Sequence, residues 1–399
     1  MKPTSAWILL LLTSLTLSIY GCGGGNSSSG GGGNPPPSTT EILYASDFGN
    51  DIYAFRINQS TGALTQTASF IPIGGETVGD TDMAVTPSGS FLYAANDANS
   101  EINCYAINSS GTLTLTADSP FPVEQPTPGS SGLTVDPTGR FFYTSTTADF
   151  GAVAGFTIDA ATGALTVISG GPFSSPGHGG PPLEIAVDPT GRFLFASAQF
   201  DDVTLPAGYN VWGFTIDGTT GALTSMPGSP FATQGNSQPD GIKADPSGKF
   251  LYVALSNAGS IAAFTIDGTT GALTAIPGSP FATAPTPFTQ TYELTISPSG
   301  KFLYAFNFNG NTIGAFTIDS TTGVLTTVAG SPFTVSPEAE GGLIVDPSGQ
   351  FLYLTIGYGT PDAFDIFDID QSSGVLTPNA NSPVAGNQVP LGLAVAKFQ

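Results

Sequence analysis

Acidic residues recur at one position of the sequence, directly before short apolar segments spaced by about fifty residues. The carboxylates at this position, or within two residues of it, are Asp80, Asp82, Glu184, Asp240, Glu293 and Glu340. Carboxylates that meet in a cleft repel one another, which separates their pKa values and can create a general acid and a general base. The candidates for such catalysis are Asp82, Glu184, Asp240 and Glu293.

Two other interpretations of these carboxylates remain open. Asp82, Glu184 and Glu293 could hold Ca²⁺, which takes about six to eight oxygen ligands in proteins. They could equally be the solvated ends of strands in an acidic protein. The sequence pairs them with no Asp/Asn loop that has the tight spacing of a calcium site, which favours the solvated-end interpretation.

The charge balance restricts what such a site could bind. The 399 residues include 30 Asp and Glu but 8 Lys and Arg, which gives a formal net charge of -22. This charge repels phosphates, so the sequence predicts no nucleic-acid partner and disfavours a phosphorylated substrate. Lys243 lies within one of the apolar segments. We expect it to reach the site and to pair with Asp240 or a neighbouring acid.

Other reactive side chains are few. His178 is the single histidine and stands in the segment SPGHGGPP, where a surface position is more common than a catalytic or ligand role. Cys104, in EINCYAIN, is expected to be a buried small hydrophobe rather than a nucleophile. The sequence has no Ser-His-Asp order, CxxC, HExxH or phosphate-binding loop.

The elements that must position these residues are visible in residues 241–281. This stretch holds four short apolar runs, at residues 242–244, 250–254, 261–266 and 272–276. They are separated by the turn sequences PSG, SNAG and GTTG. Runs this short, rich in β-branched and aromatic residues, are typical of strands. One copy therefore predicts a four-stranded antiparallel meander.

Copies of this unit fill the chain. The first-turn glycine recurs at Gly89, Gly139, Gly191, Gly248, Gly300 and Gly349, and the third-turn glycine at Gly62, Gly111, Gly163, Gly221, Gly271, Gly323 and Gly374. Four strands per period of about fifty residues predict a β-propeller. The first copy starts at its second strand, near Ile42, and residues 392–398 supply the missing one. We predict an all-β, seven-bladed propeller with four antiparallel strands per blade, its first blade closed by the C-terminal strand.

The two ends of the predicted propeller differ. The first and third turns lie at one end and are nearly invariant between copies. The second turns and the blade-to-blade connections lie at the other end, which we call the loop face, and they vary in length and composition. Variable loops on a rigid frame commonly carry binding function. The binding candidates are Asp201, Asp202 and Tyr209 in the long segment 199–210, together with His178 and Lys243.

The N-terminal residues read as a targeting segment. Residues 1–22 combine Lys2 with an apolar core at 6–17, which is typical of a signal peptide. The junction Ile-Tyr-Gly-Cys resembles a bacterial lipobox and predicts lipidation of Cys22. Residues 23–40, rich in Gly, Ser and Pro, would be a tether between the lipid and the propeller at 41–399. The predicted location is the bacterial cell envelope, with membrane contact through this anchor alone.

The repeated segments VDPTGRFFY, VDPTGRFLF, ADPSGKFLYVA and SPSGKFLYA, with AFTID and TTGALT further along the unit, resemble the seven-bladed lactonase family. That family includes 6-phosphogluconolactonases, and its repeats are similar to those of YVTN-type surface propellers. The resemblance covers about residues 41–399 and implies the propeller fold. It also implies His and Arg at the starts of inner strands. Here those positions hold Asp82, Glu184, Glu293 or glycine, so the family's catalytic residues are not carried over.

Three hypotheses of function follow from these observations. The first is a lipid-anchored binding module whose loop face holds an envelope protein, a glycan or a small neutral ligand. The second is a hydrolase that acts on a neutral lactone or sugar through the carboxylates described above. The third is a purely structural envelope protein. A monomer is expected in each case, and Ca²⁺ is the cofactor that the sequence leaves open.

Overall fold

The structure is a computed structural model. It describes residues 40–47, 51–67, 71–72, 82–96, 100–123, 132–146, 151–174, 182–198, 210–233, 238–284, 290–337, 339–357, 362–385 and 390–398. The predicted signal peptide and Cys22 lie outside these residues, as does nearly all of the predicted tether. No helix in the described part of the chain is both long enough and apolar enough to cross a membrane.

Seven antiparallel sheets form the described part of the chain, and each sheet is one blade of a propeller. Within a blade the strands run from the central channel outward as inner, second, third and outer strands. A short edge segment pairs with the first half of the third strand, while the outer strand pairs with its second half. The prediction of seven four-stranded blades is confirmed, and the edge segment is an addition that the sequence did not predict.

The first four blades have these bounds. Blade 1 comprises Pro390–Phe398, Thr40–Asp47, Asp51–Ile57 and Leu64–Gln66, with Ile71–Pro72 as its edge segment. Blade 2 comprises Met83–Val85, Phe91–Asn96, Glu101–Ile107 and Leu113–Leu115, with Phe121–Pro122. Blade 3 comprises Leu133–Val135, Phe141–Thr146, Ala152–Ile158 and Leu165–Val167, with Phe173–Ser174. Blade 4 comprises Pro182–Val187, Phe193–Ala198, Asn210–Ile216 and Leu223–Ser225, with Phe231–Ala232.

The remaining blades follow the same order. Blade 5 comprises Pro239–Ala244, Phe250–Leu255, Ser260–Ile266 and Leu273–Ala275, with Phe281–Ala282. Blade 6 comprises Thr291–Ile296, Phe302–Asn307, Thr312–Ile318 and Leu325–Thr327, with Phe333–Thr334. Blade 7 comprises Ala339–Val345, Phe351–Ile356, Asp362–Ile369 and Leu376–Pro378, with Val384–Ala385. The 3-10 turn Phe308–Gly310 follows the second strand of blade 6.

The C-terminal strand closes the ring as predicted. Pro390–Phe398 pairs antiparallel with Thr40–Asp47 and becomes the inner strand of blade 1. The hydrophobic core is divided into seven clusters, each built from two consecutive blades. In the cluster between the last and first blades, Leu43 packs with Phe351 and Phe364. Closure therefore removes an open sheet edge and completes the core at the same time.

Buried tyrosines fasten each blade to the next. A tyrosine hydroxyl of the second strand donates a hydrogen bond to the carbonyl of the third-turn glycine in the following blade. The pairs are Tyr44–Gly111, Tyr93–Gly163, Tyr143–Gly221, Tyr252–Gly323, Tyr304–Gly374 and Tyr353–Gly62, at 2.7 to 3.0 Å. Blade 4 carries Phe195 at the equivalent position. Gly62 has a positive φ of 70°, and an added Cβ would lie 2.5 Å from the ring of Phe351, which explains why the repeat keeps glycine there.

The nearly invariant first turns have a structural explanation. Asp136 accepts hydrogen bonds on Oδ1 from the backbone amides of Arg140 and Phe141, each at 2.7 Å. Asp188 and Asp245 make the same contacts in their own blades. These carboxylates satisfy the backbone donors of a tight turn. They stabilise the frame, at the end of the propeller opposite the loop face.

Candidate active site at the channel mouth

A cavity of about 770 Å³ opens where the inner strands begin. Residues from the inner strands of all seven blades line it, from Met83 in blade 2 to Leu393 in blade 1. The acidic residues around it are Asp82, Glu184, Asp240 and Glu293, and Lys243 lies among them. The alignment of the repeats thus brought the described candidates to one place, at the channel mouth of the loop face.

Irregular strands position these side chains. The pairing register between inner and second strands shifts between Pro182 and Ile185, and again between Pro239 and Ile242. Blade 6 shifts between Thr291 and Leu294. Glu184, Asp240 and Glu293 lie inside these three intervals. A β-bulge bends a strand and re-aims a side chain, and such bulges are common beside active sites. In these blades the inner strands also begin three residues before the apolar segments that start at residues 185, 242 and 294, because the bulged residues still belong to the strand.

Two glycines let the acidic strands come close to their neighbours. A Cβ atom added to Gly132 would lie 2.3 Å from the carbonyl oxygen of Leu183 and 2.8 Å from Cα of Glu184. A Cβ added to Gly241 would lie 2.5 Å from the carbonyl oxygen of Tyr292 and 3.2 Å from Cα of Glu293. From blade 2 to blade 6, carboxylate and glycine therefore alternate at this position for a steric reason. Each glycine makes room for the backbone that carries the next glutamate.

Lys243 joins two of the glutamates. Its Nζ atom lies 2.9 Å from Oε1 of Glu293 and 3.5 Å from Oε2 of Glu184. The lysine side chain is 36% exposed and the two glutamates are about one-fifth exposed, at 22% and 21%. The ammonium group is thus held by carboxylates from the blades on both sides and still faces the cavity. The expected pairing of Lys243 with a neighbouring acid is confirmed, and the contacts lie with Glu293 and Glu184.

The enclosure changes how these groups titrate. Burial raises the pKa of Glu293 to about 7, with Lys243 opposing the rise and Glu184 adding to it. Burial would by itself lower the pKa of Lys243, but the Glu293 and Glu184 charges outweigh it and hold that pKa above the ordinary value. The site therefore combines a lysine that stays protonated with a carboxyl group that ionises near neutral pH. Groups tuned in this way are typical of acid–base catalysis.

Asp82 occupies the side of the cavity formed by blade 2. It accepts hydrogen bonds from the backbone amide of Met83 at 2.8 Å and from that of Leu133, in blade 3, at 3.3 Å. Burial and the charge of Glu184 raise the pKa of Asp82 well above its usual range. Asp82 is therefore a structural link between two blades as well as a candidate acid.

The hypothesised calcium site finds no ligand set in the described part of the chain. No three Asp, Glu, His or Cys side chains there are grouped as a metal ion requires. Glu184 and Glu293 instead share the ammonium of Lys243, which occupies the position between them that a cation would need. Because the lysine ammonium lies between these carboxylates, the same oxygens are not free to surround Ca²⁺.

Several predicted residues cannot be placed. The binding candidates Asp201, Asp202, Tyr209 and His178 lie outside the described residues, as do Asp80 and the side chain of Glu340. Two aromatic residues of the cavity, Tyr292 and Phe308, were not predicted from the sequence. Phe308 reads as one more residue of the strand-like run FLYAFNFNG. The repeat alignment could have singled out Phe308, because the equivalent positions after the second strand hold Ser256 in blade 5 and Gly357 in blade 7.

The fold and the acidic channel mouth together define a seven-bladed propeller with an open pocket at its axis. The chain belongs to the lactonase, 7-bladed beta-propeller family, whose profile matches residues 37–176, 177–289 and 277–393. No curated protein matches the sequence.

Solved structures share the architecture at low sequence identity. A candidate 6-phosphogluconolactonase from Bacteroides fragilis is 22% identical, with a TM-score of 0.73, covering 91% of this chain and 99% of its own. The periplasmic gluconolactonase PpgL of Pseudomonas aeruginosa is 19% identical, also with a TM-score of 0.73, covering 90% and 99%. A protein from Lactobacillus plantarum is 20% identical with a TM-score of 0.71, covering 90% and 100%. At such identities the likeness shows the fold alone.

Proposed function

We propose that this protein hydrolyses an uncharged sugar lactone in the cavity at the channel mouth. The observation that carries the proposal is the contact of Lys243 with Glu293 and Glu184 on the wall of that cavity. A cation fixed beside a carboxyl group that ionises near neutral pH supplies what ester hydrolysis requires.

The chemistry assigns one role to each group. Ionised Glu293 takes a proton from a water molecule while the oxygen of that water bonds to the lactone carbonyl carbon. The carbonyl oxygen becomes an oxyanion, which the Lys243 ammonium stabilises. The bond from that carbon to the ring oxygen then breaks, and the ring oxygen receives the proton from Glu293. The products are one hydroxy acid and the regenerated site, with Glu184 keeping Lys243 in place.

The charge around the cavity supports a neutral substrate. Asp82, Glu184, Asp240 and Glu293 surround one lysine, within a protein of net charge -22. A phosphate group on the substrate would be repelled by this field. The name of the Pseudomonas relative, a periplasmic gluconolactonase, agrees with a neutral sugar lactone. The predicted signal peptide and the lipidation of Cys22 would place the reaction in the cell envelope, away from cytosolic phosphosugars.

The test compares neutral and phosphorylated lactones as substrates of the purified full-length chain. Proton release from D-glucono-δ-lactone, above the spontaneous rate, is the expected result, with little turnover of its 6-phosphate. Glu293→Gln should abolish the catalysed rate, whereas Glu101→Gln, a partly buried glutamate outside the cavity, should leave it unchanged. Absence of turnover on any neutral lactone, or equal rates for Glu293→Gln and the unaltered protein, would refute the proposal.

The binding-module hypothesis stays a prediction beside this one. Its main residues, Asp201, Asp202 and Tyr209, lie outside the described part of the chain. Deletion of residues 199–210 should abolish capture of an envelope protein or glycan if the loop face is the binding surface. The same deletion should leave lactone turnover in place if the channel mouth acts alone.

A further inference from the structure

A buried serine hydroxyl lies against the backbone that carries Glu184. Ser197, in the second strand of blade 4, is fully buried. Its Oγ atom accepts a hydrogen bond of 3.0 Å from the backbone amide of Glu184 and donates one of 3.5 Å to the carbonyl oxygen of the same residue. One side chain thus contacts both polar backbone atoms of a glutamate whose carboxylate lies 3.5 Å from the ammonium of Lys243.

The irregular register of blade 4 explains why a side chain is needed there. The shift between Pro182 and Ile185 leaves residues 183 and 184 opposite Ser197 alone. The extra residue of a β-bulge is left out of the regular ladder of backbone hydrogen bonds. A buried amide without a partner costs free energy. The hydroxyl of Ser197 takes the place of the missing ladder contact, so the bulge that carries Glu184 depends on it.

The backbone of blade 3 holds the same bulge from the other side. A Cβ atom added to Gly132 would lie 2.8 Å from Cα of Glu184, so the backbones of the two blades are in close contact at this point. The bulge is therefore confined between Ser197 within its own blade and Gly132 in the neighbouring one. The backbone of Glu184 has little space to move as long as the hydroxyl is present.

Hydroxyl groups at the equivalent position of two other blades hold glycines. In blade 1, Ser46 accepts a hydrogen bond of 3.1 Å from the amide of Gly392. In blade 7, Thr355 accepts one of 2.9 Å from the amide of Gly342. The contact is thus a recurrent way to hold the inner strand in this fold. In blade 4 the residue that is held also supplies a carboxylate of the site.

Glu293, the other partner of Lys243, is held differently. The described part of blade 6 offers its backbone no such hydroxyl, because Phe306 occupies the position equivalent to Ser197. Lys243 therefore lies between one carboxylate on a bulge fixed by a hydroxyl and one on a bulge without it. A fixed carboxylate suits a group that keeps a cation in place. The proposed general base, by contrast, has to take up and release a proton.

We propose that Ser197 is a positioning residue of the channel-mouth site: its hydroxyl fixes the bulge of blade 4, so that Glu184 keeps the Lys243 ammonium where the oxyanion forms. This inference rests on the proposed function and adds to it a buried residue outside the cavity lining. A charge that is already in place stabilises the transition state without reorganisation. A misplacement of about 1 Å can cost about 10²-fold in rate. Because the ammonium acts on the transition state, the loss should fall on kcat rather than on KM.

The first experiment compares the same substitution at two hydroxyls of the full-length chain, with D-glucono-δ-lactone as the substrate. Ser197→Ala should lower kcat about ten- to hundredfold while KM changes by less than about twofold. Ser46→Ala is the matched control: it removes the same contact from Gly392, which has no side chain, and should leave kcat unchanged within about twofold. Equal kcat values for the two variants would overturn the proposal.

Two further variants guard against misfolding. Ser197→Cys fills a similar volume, but its sulfur accepts hydrogen bonds weakly, so it should lose kcat in the same direction as Ser197→Ala. Ser197→Thr keeps the hydroxyl, as Thr355 does in blade 7, and should retain most of the activity. Full kcat in Ser197→Cys would speak against the hydrogen bond as the cause.

The second experiment observes the site without catalysis. The pKa of Glu293 is measured by NMR from its carboxyl carbon in protein that contains ¹³C-labelled glutamate, with the signal assigned by its absence in Glu293→Gln. The Glu184 charge raises this pKa, so release of Glu184 toward water in Ser197→Ala should lower it, and Glu184→Gln should lower it further. In the Glu184→Gln background, Ser197→Ala should add no shift, because Ser197 acts through Glu184.

The two experiments separate the positioning role from the hydrolysis itself. The expected NMR shifts in a protein without lactone turnover would refute the proposed hydrolysis and keep the positioning role of Ser197. Lactone turnover that Ser197→Ala leaves unchanged, or an NMR shift of the same size with and without Glu184→Gln, would refute the positioning role and keep the hydrolysis.

Discussion

The Nζ atom of Lys243 lies 2.9 Å from Oε1 of Glu293, although the two residues belong to the inner strands of different blades. The pair is partly open to the channel, and Glu184 approaches the same ammonium from the opposite side. Lys243 is thus the positive centre of an acidic pocket. The reactivity proposed for the pocket depends on this arrangement, and several consequences can be measured.

The pH dependence of catalysis should report the ionisation of Glu293. Its pKa of about 7 means that the carboxyl group is mostly protonated below neutral pH and mostly ionised above it. Because the proposed general base must be ionised, kcat/KM should rise with pH, reach half of its maximum near pH 7 and level off about one pH unit higher. Initial rates corrected for spontaneous hydrolysis would show this. A midpoint near the ordinary glutamate value would contradict the assignment.

Removal of the lysine charge should shift that midpoint upward. Lys243 lowers the pKa of Glu293 against the effect of burial, so Lys243→Met should move the midpoint of the residual activity to higher pH. Lys243→Arg, which keeps the charge, should leave the midpoint close to that of the unaltered protein. A midpoint at lower pH in Lys243→Met would show that Lys243 does not lower the pKa of Glu293.

Gly241 should be essential for the position of Glu293. The Cβ of Gly241→Ala would meet the carbonyl oxygen of Tyr292 at 2.5 Å, so the strand of blade 6 must move. We expect a loss of activity of at least tenfold and a cost of about 1–3 kcal/mol in the free energy of unfolding. Gly268→Ala is the matched control, because nothing lies within 4 Å of its added Cβ. Equal activities in the two variants would contradict the steric role of Gly241.

The ring closure between the last and first blades should depend on Tyr353. Its hydroxyl donates a hydrogen bond of 2.9 Å to the carbonyl of Gly62. Tyr353→Phe leaves this buried acceptor without its donor, which costs about 1–3 kcal/mol. The protein should still fold, since blade 4 naturally has Phe195 at the same position. Urea unfolding of the full chain measures the difference, and an unchanged midpoint would rule out a stabilising role for this contact.

Glu41 should make stability depend on pH. It is 1% exposed, and it pairs across the closing strands with Lys397 at 3.5 Å. Burial, and then the Asp346 charge, raise the pKa of Glu41 above its usual value, while Lys397 opposes the shift. A folded-state pKa above the unfolded value gives a contribution that is present in acid and lost as the pH rises through the folded pKa.

The variant Glu41→Gln should therefore reduce the fall in the free energy of unfolding from about pH 4.5 upward, since it removes the titrating group. Lys397→Met should steepen the fall, because it removes the charge that favours ionised Glu41. Urea unfolding across this pH range makes the comparison. Parallel curves for all three proteins would contradict the account of Glu41.

Most of the fold could be predicted from the sequence. The turn glycines, such as Gly62 and Gly323, recur because their backbone is left-handed and a phenylalanine ring of the preceding blade leaves no room for a side chain. Because each blade repeats the geometry of the one before it, the alignment of the inner strands correctly predicted that Asp82, Glu184 and Glu293 lie at one channel mouth. Repetition is what makes such an inference possible.

The departures from the repeat could not be predicted in the same way. The bulges at Glu184 and Glu293 insert residues without any change in local composition, so Lys243 could not be assigned to either partner beforehand. The role of Gly241 arises from the backbone of another blade, some fifty residues along the chain. Phe308 continues an apolar run, and its exposure follows from the 3-10 turn that ends the strand.

The most direct test is the initial rate of D-glucono-δ-lactone hydrolysis by the full-length protein and by its Glu293→Gln variant, measured at the same pH near 7. Removal of a general base typically costs about 10²- to 10⁴-fold. We expect a catalysed rate in the unaltered protein and a loss of this size in the variant. Equal rates for the two proteins, or a rate no greater than the spontaneous reaction for both, would contradict it.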